Sequence, residues 1–202
     1  MHREDYPYLY ETHMHTSESS ACARSTGAEM AKAAKEAGYT GVIITNHNWY
    51  GNNCIDARLP WEAWIEQYCQ GYENARQWGS ENGLQVFFGY EAGYNGTEFL
   101  VYGVDKNWLI SHPQIKDASV EGQYRLIHDA GGMVIHAHPF REEYYIPEIR
   151  LFPEAVDGVE GLNAIHSYYD HFVYNERAIG DARENKIPMT AGSDVHRSLI
   201  HI

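Results

Sequence analysis

Residues 25–47 read STGAEMAKAAKEAGYTGVIITNH: a helical pattern, a glycine, a short apolar run and a closing histidine. Thr26 and Glu29 stand in capping-box spacing, so the hydroxyl can satisfy a free amide of the first turn while the carboxylate reaches back. Gly38 supplies the stop. GVIITN is then a β-branched run of the length and composition of a buried strand. A helix feeding such a strand is half of a β/α unit, and the alternation extends in both directions. YLYETH, LQVFFGYE, EFLVYGV, GMVIHAH, GVEGLN and IPMTAGSD supply six more strands, spaced like parallel ones. Between most of them lie helical patterns. Residues 59–83 open with Pro60 and close at Gly83, residues 119–132 are capped by Ser119 and end at Gly131 and Gly132, and residues 169–185 carry Asp170 as a cap. About seven strands suit a closed or nearly closed β/α barrel better than an open sheet, although periodicity leaves closure open. LQVFFGYE and EFLVYGV are separated only by AGYNGT, too short for a crossover helix, which departs from a regular eightfold barrel.

Length and composition bound the rest. The 202 residues fit one well-filled domain, residues 1–202. An apolar fraction of 44% with 18 Gly and 7 Pro excludes disordered, collagen-like and fibrous classes. No apolar run approaches the roughly eighteen residues of a membrane span, and MHREDYPYLY lacks the apolar core of a signal peptide, so a cytoplasmic protein without a membrane partner is expected. The three cysteines, Cys22, Cys54 and Cys69, are odd in number and lack C-x-x-C spacing, against both a disulfide framework and a zinc ribbon. Cys54 and Cys69 are read as reduced structural thiols; Cys22 stays open because it follows the histidine pair closely. A net charge of −13 disfavours long nucleic acid as a partner, while a small phosphorylated substrate fits if bound cations reverse the local field.

The twelve histidines are the unusual component. His13 and His15 form an H-x-H pair, and alternate residues of a strand share a face, so two imidazoles address one point. Nearly every strand ends in a metal-type residue: His13 and His15, then His47, Glu91, His136 and His138, His166, and finally Asp194 and His196. In parallel β/α architecture the carboxyl ends of the strands converge on one face, where such barrels build active sites. Imidazole mixed with carboxylate suits zinc, manganese or iron, and a carboxylate such as Glu91 can bridge two cations. Two metals about 3.5 to 4 Å apart can acidify a water and clamp the oxygens of a phosphoryl transfer.

HMHTSESS, ITNHN, GYEAG, HAHPFR and AGSDVH, in this order, resemble the polymerase and histidinol phosphatase (PHP) family of metal-dependent phosphoesterases, over His13 to His196. The resemblance implies a distorted seven-stranded β/α (TIM-like) barrel with two or three divalent metal ions at its carboxyl face. Carried over, His13 and His15 would hold the first metal with Glu91 and Asp194, and Glu91 would bridge to the second. His138 would be a ligand of that second metal, His47 and His196 of a third. The sequence departs from the pattern in three places. TEFLVYG places Glu98 where the family has a histidine, and Glu98 is read as an oxygen ligand rather than an exposed strand residue. The third site often takes an aspartate or histidine where Ser20 and Ala21 stand here, with Glu18 and Cys22 nearby, so that site is expected to be weak, empty or differently built. The usual T-D-H is TNH, so a carboxylate that would orient His47 is replaced by neutral Asn46.

Glu91, Asp194, Arg141 and His166 form the candidate catalytic set. Arg141, just past a strand end, could bind a phosphate bidentately; Arg24 and Arg197 are weaker candidates of that kind. His166 is weighed between a substrate or proton-transfer role and a surface loop. His136 would share a strand face with His138 and is read as supporting or core. His2, His112, His128, His171 and His201 lie off the pattern. Trp49 and Tyr50 fall on a loop over the expected mouth, with ordinary loop packing favoured over stacking on a substrate. Trp61, Trp64, Tyr68 and Tyr72 have the spacing of a helical core stripe. The leading expectation is hydrolysis of a small phosphorylated metabolite, a phosphomonoester first, by a metal-activated water. A nucleotide or oligonucleotide phosphodiesterase, a metal-dependent C–N hydrolase and a catalytically silent metal-binding module are the alternatives. Oligomeric state is not readable.

Overall fold

The capping box forms as the sequence requires: the Thr26 amide donates to Glu29 Oε2 at 2.8 Å and the Glu29 amide to Thr26 Oγ1 at 3.3 Å, opening helix α1 (Gly27–Glu36). The computed structural model describes residues 7–169 and 171–198; His2, His201 and the candidate cap Asp170 lie outside them. Strand β1 (Tyr10–Met14) precedes α1. There follow β2 (Gly41–Ile44), α2 (Trp61–Tyr68), α3 (Gln70–Asn82), β3 (Gln85–Tyr94), β4 (Thr97–Tyr102), α4 (Lys106–Ser111), α5 (Val120–Asp129), β5 (Met133–Ala137), β6 (Gly158–Asn163), α6 (Ala164–Tyr168), α7 (Phe172–Asn185) and β7 (Met189–Gly192). No helix among the described residues is long and apolar enough to cross a membrane.

The seven strands form one sheet in sequential order, a nearly closed, distorted β/α barrel. Its ends approach through Met14 and Val195, with the His15 amide on Val195 O at 3.1 Å and the Asp194 amide on His13 O at 2.9 Å. The uniformly parallel spacing expected from sequence is corrected at β4, which is antiparallel to both β3 and β5. The Asn95–Gly96 turn, with both residues at positive φ, reverses the chain directly, because six residues cannot carry a crossover. The reversal puts the start of β4, not its end, at the carboxyl face of the other strands. Glu98 therefore reaches that face.

Two further expectations are corrected. Residues 59–83 form two helices broken at Cys69 rather than one. Glu91 is not the last residue of its strand: β3 continues to Tyr94, paired with β4.

Alternation sorts the barrel. Phe99 and Val101 of β4 join Tyr90, Trp64, Tyr68, Leu109 and Ile127 in the main core between sheet and helices. Leu100 and Tyr102 face the other way, with Ile135 and Ala137, and the Tyr102 hydroxyl spans the interior to Thr12 O at 2.8 Å. These four side chains give the barrel interior an apolar layer. Trp64 and Tyr68 are buried in the expected stripe with Trp61 and Tyr72 packed beside them, and Trp49 packs on Trp61 with ring centres 5.0 Å apart. Trp49 is therefore a core residue.

Helices α1 and α3 cross at two glycines. A Cβ on Gly27 would lie 1.9 Å from Gly71 O, and one on Gly71 would lie 2.0 Å from Thr16 Oγ1. We predict that Gly27→Ala costs about 1–3 kcal/mol through overpacking against backbone, lowering the urea midpoint at unchanged m. Gly180→Ala, whose Cβ would meet nothing within 4 Å, should be neutral or stabilising by about 0.5–1 kcal/mol.

Candidate metal centre

His13 and His15 alternate with Met14, so both rings turn into the barrel, where they are completely buried. His13 Nδ1 donates to Glu160 Oε1 at 2.9 Å and His15 Nδ1 to Ser20 Oγ at 3.2 Å. Each ring is thereby left with an Nε2 lone pair, and the two Nε2 atoms face each other at 3.2 Å. Glu91 lies 3.4 Å from both, through Oε1 to His13 and Oε2 to His15. Asp194 Oδ1 lies 3.5 Å from His13 and 3.2 Å from His15. Such a convergence of acceptors is tolerable only with a proton or a cation among them.

The remaining donors close around Glu91. His47 Nδ1 is 2.8 Å from Glu91 Oε2 and His138 Nε2 is 3.0 Å from Oε1; Glu98 lies 3.7 Å from each of these rings. His196 and His47 both stack on His15, with ring centres 4.5 Å and 4.4 Å away. Four sets have donor atoms mutually within 4.8 Å: His13, His15 and Glu91; His13, His138 and Asp194; His47, Glu91 and Glu98; and His15, His47 and His196. Every residue read as a metal ligand from sequence is brought to one place. Despite their proximity, His47 Nδ1 and Glu91 Oε2 are buried without a hydrogen-bond partner, as expected of atoms aimed at cations rather than at each other.

Backbone strain aims two of these side chains. His138 has φ 29° and Asp194 φ 57°, conformations uncommon outside glycine that cluster at functional sites. The turn at His138 corrects the expectation that His136 and His138 share a face. Strand alternation holds His136 outside, stacked on Phe99 at 4.9 Å, and burial lowers its imidazole to about 3. His138 leaves the strand and swings inward, its amide held by Glu160 Oε2 at 3.0 Å.

The titration pattern is that of a cation site. Burial alone would raise the Glu91 carboxyl, yet the facing His47 and His13 hold it well below the usual range. Burial likewise works against ionised Asp194, and His13 and Arg141 hold that group down. Burial would lower His13, but Asp194, Glu160 and Glu91 raise it well above the ordinary value. A bound cation would take over the role of that proton. The chemistry of the donor set, imidazole and carboxylate, fits divalent zinc, manganese or iron.

Arg141 and His166 sit at the edge of this group. Arg141 donates through Nη2 to Asp194 Oδ2 and through Nε to His166 Nε2 at 3.2 Å. His166 Nδ1 donates to Asn175 Oδ1 at 3.2 Å, so both ring nitrogens are engaged and the ring is an acceptor toward Arg141. Burial first, then Arg141 and His138, lowers His166 to about 4. The residue lies buried on α6, not on a surface loop. Arg24 turns back on its own loop, to Ala21 O and Ala23 O, and Arg197 lines a separate cavity with Glu11 and Met30. His112, His128 and His171 pack on Trp108, Tyr124 and Tyr174, away from the centre.

Asn46 does not orient the His47 ring. Its Oδ1 accepts from the Thr16 amide at 2.7 Å and from Ser20 Oγ at 3.0 Å, and Ser20 in turn contacts His15. Glu18 is tied to the start of α1 through the Gly27 amide at 2.9 Å, so it too stands apart. The polar partners that sequence reading missed are Glu160 and Glu11. Glu11 Oε1 accepts from the amides of His13 at 2.8 Å and Ser193 at 3.0 Å. Each is a carboxylate on the inward register of a short strand, which was the available signal. Above the centre opens a cavity of about 570 Å³, lined by Cys22, His47, Glu98, Arg141, Asp194 and His196 and rimmed by Tyr50, Tyr94, Tyr144 and Tyr145.

A family profile described as PHP domain matches residues 11–180. No curated protein sequence matches the chain. Among solved structures, a Bifidobacterium adolescentis protein assigned as a metal-dependent phosphoesterase aligns with TM-score 0.64 at 15% identity, over 95% of this chain and 88% of its own. PsfC from Pseudomonas syringae aligns with TM-score 0.61 at 17% identity, over 95% and 77%. An amidohydrolase from Chromobacterium violaceum, solved with bound sulfate and no metal, aligns with TM-score 0.62 at 15% identity, over 93% and 87%. At these identities the likeness is one of fold.

Glu160 fixes the tautomer of His13 and the turn at His138 together. Glu160→Gln should therefore weaken metal binding by about 10- to 100-fold, read by chelator competition, while the circular dichroism spectrum stays unchanged.

Proposed function

The chain belongs to the PHP-domain family, and from that premise we propose that it is a metal-dependent phosphoesterase acting on a small phosphorylated metabolite, a phosphomonoester first. Family membership and the buried histidine and carboxylate sets support a metal-dependent hydrolase. His13, His15, Glu91 and Asp194 would hold one divalent cation and Glu91, Glu98 and His138 a second, with His47 and His196 left for a third. Zinc, manganese and iron all suit these donors. Bound there, the ions would supply Lewis acidity toward phosphoryl oxygens and acidify a water.

The observation that carries phosphoryl chemistry is Arg141. Among the described residues it is the one arginine or lysine lining the cavity, and it stands directly beside Asp194. A planar guanidinium matches a phosphate with two parallel N–H bonds. His166 accepts from Nε and so fixes the plane of that fork; neutral His166 serves here better than imidazolium, which would repel the guanidinium. Asp194 neutralises Arg141 until a substrate arrives. A phosphate would compete with Asp194 for the N–H groups of Arg141. Glu160 and Ser20 keep the Nδ1 protons of His13 and His15 in place, leaving each Nε2 as a donor to metal. The cavity volume suits a metabolite, and Tyr50, Tyr94, Tyr144 and Tyr145 would meet the part of the substrate beyond the phosphate.

The test is phosphate release from a panel of phosphomonoesters by metal-analysed protein with added manganese. His13→Ala should lose about one metal equivalent and most turnover while remaining folded. Arg141→Ala should keep its metal and lose about 10- to 100-fold in kcat/KM, the equivalent of about 1.5–3 kcal/mol for a hydrogen bond to a charged group. Metal-loaded protein that releases phosphate from no member would overturn the phosphomonoester assignment. Phosphodiesters and then amides would be tested next.

A further inference from the structure

The third cluster, around His47 and His196, lacks the aspartate or histidine that the resemblance would place at Ser20 or Ala21. Ser20 is committed elsewhere: its hydroxyl contacts His15 Nδ1 at 3.2 Å, accepts the His47 amide at 3.1 Å and donates to Asn46 Oδ1 at 3.0 Å. Ala21 offers no donor. The next residue is Cys22, which lines the cavity above the centre together with His47 and His196. The neighbouring backbone holds it there. The Ala21 amide donates to Asn52 O at 2.9 Å, in the loop that carries His47, and the Arg24 amide to His196 O at 2.8 Å. Cys22 is thus clamped between the two loops whose histidines it faces. A second observation points to a ligand: His47 is nine-tenths buried, and its Nδ1 has no hydrogen-bond partner. His15, His47 and His196 present ring nitrogens mutually within 4.8 Å.

We propose that Cys22 supplies a thiolate ligand to a third cation held with His47 and His196, which rests on the metal-hydrolase reading above. The sulfur makes this site chemically unlike its neighbours. Sets built only from imidazole and carboxylate accept manganese, iron or zinc, whereas a thiolate favours zinc and disfavours manganese and magnesium. Zinc would then fill the third site selectively, even where manganese occupies the other two. The other two thiols are placed differently. Cys69 is buried at the break between α2 and α3, and Cys54 is exposed, its thiol toward Ser17 O and Glu18 O.

Cobalt(II) added to metal-free full-length protein reads the ligand directly, because a cobalt–thiolate bond gives a near-ultraviolet charge-transfer band that imidazole and carboxylate do not. The wild-type chain should show the band. Cys22→Ser should lose it together with about one bound cobalt per chain, while Cys54→Ser and Cys69→Ser keep it. Cys22→Asp, an oxygen donor in the same place, should regain the cobalt without the band, which separates loss of a ligand from loss of fold. Cobalt bound by the wild type without the band, or a band that survives in Cys22→Ser, would overturn the thiolate site and leave the metal hydrolase standing. A wild-type chain that binds no cobalt would overturn both.

Discussion

One carboxylate organises this protein. Glu91 is almost wholly buried, and its two oxygens lie within 3.4 Å of four imidazoles, those of His13, His15, His47 and His138. An ionised carboxylate so far from water is tolerable only against matching positive charge. The fold supplies that charge from three separate segments, and their arrangement explains the distortions of the barrel. The loop after β2 is bonded to both sides of Glu91, through the Glu91 amide to Asn46 O and the Asn48 amide to Glu91 O. Glu91 pairs with Leu100 and Gly93 with Glu98, so the reversed strand β4 delivers a second carboxylate two residues along the same inward face.

Around this group a further ring of bonds fixes orientation. Glu160 serves His13, the His138 amide and Asn163, and Asn163 reaches on to Asp194 at 3.2 Å. Glu11 ties His13 to Ser193 across the closure of the barrel. These contacts over-determine the positive φ of His138 and Asp194, the condition under which strained backbone persists. Preorganisation of this kind would position ligands without waiting for metal, and under the proposed function a phosphate entering the cavity would meet a guanidinium already oriented by His166.

The candidate ligands were legible because each sits on an inward strand position or just past a strand end, and local spacing carries that information. His13, His15 and His47 follow apolar runs whose period reveals the strand. What was not legible depended on partners far away in the chain. The inward turn of His138 follows from a single dihedral that no local residue announces. The break at Cys69 interrupts a helical pattern that continues on both sides, and Gly71 faces Thr16 from another segment. Glu160 was visible as an acid within a strand, but its service to His13 joins residues 147 positions apart. The seating of Cys22 between the loops of His47 and His196 likewise depends on backbone bonds to both.

The central claim is that Glu91 bridges cations. The most direct measurement is an anomalous-difference map from crystals of the protein grown with manganese. The account predicts two peaks flanking Glu91, about 3.5 to 4 Å apart, one toward His13, His15 and Asp194 and the other toward His138 and Glu98. A map in which manganese peaks lie elsewhere, or in which Glu91 hydrogen-bonds directly to the imidazoles with no peak beside it, would contradict the account.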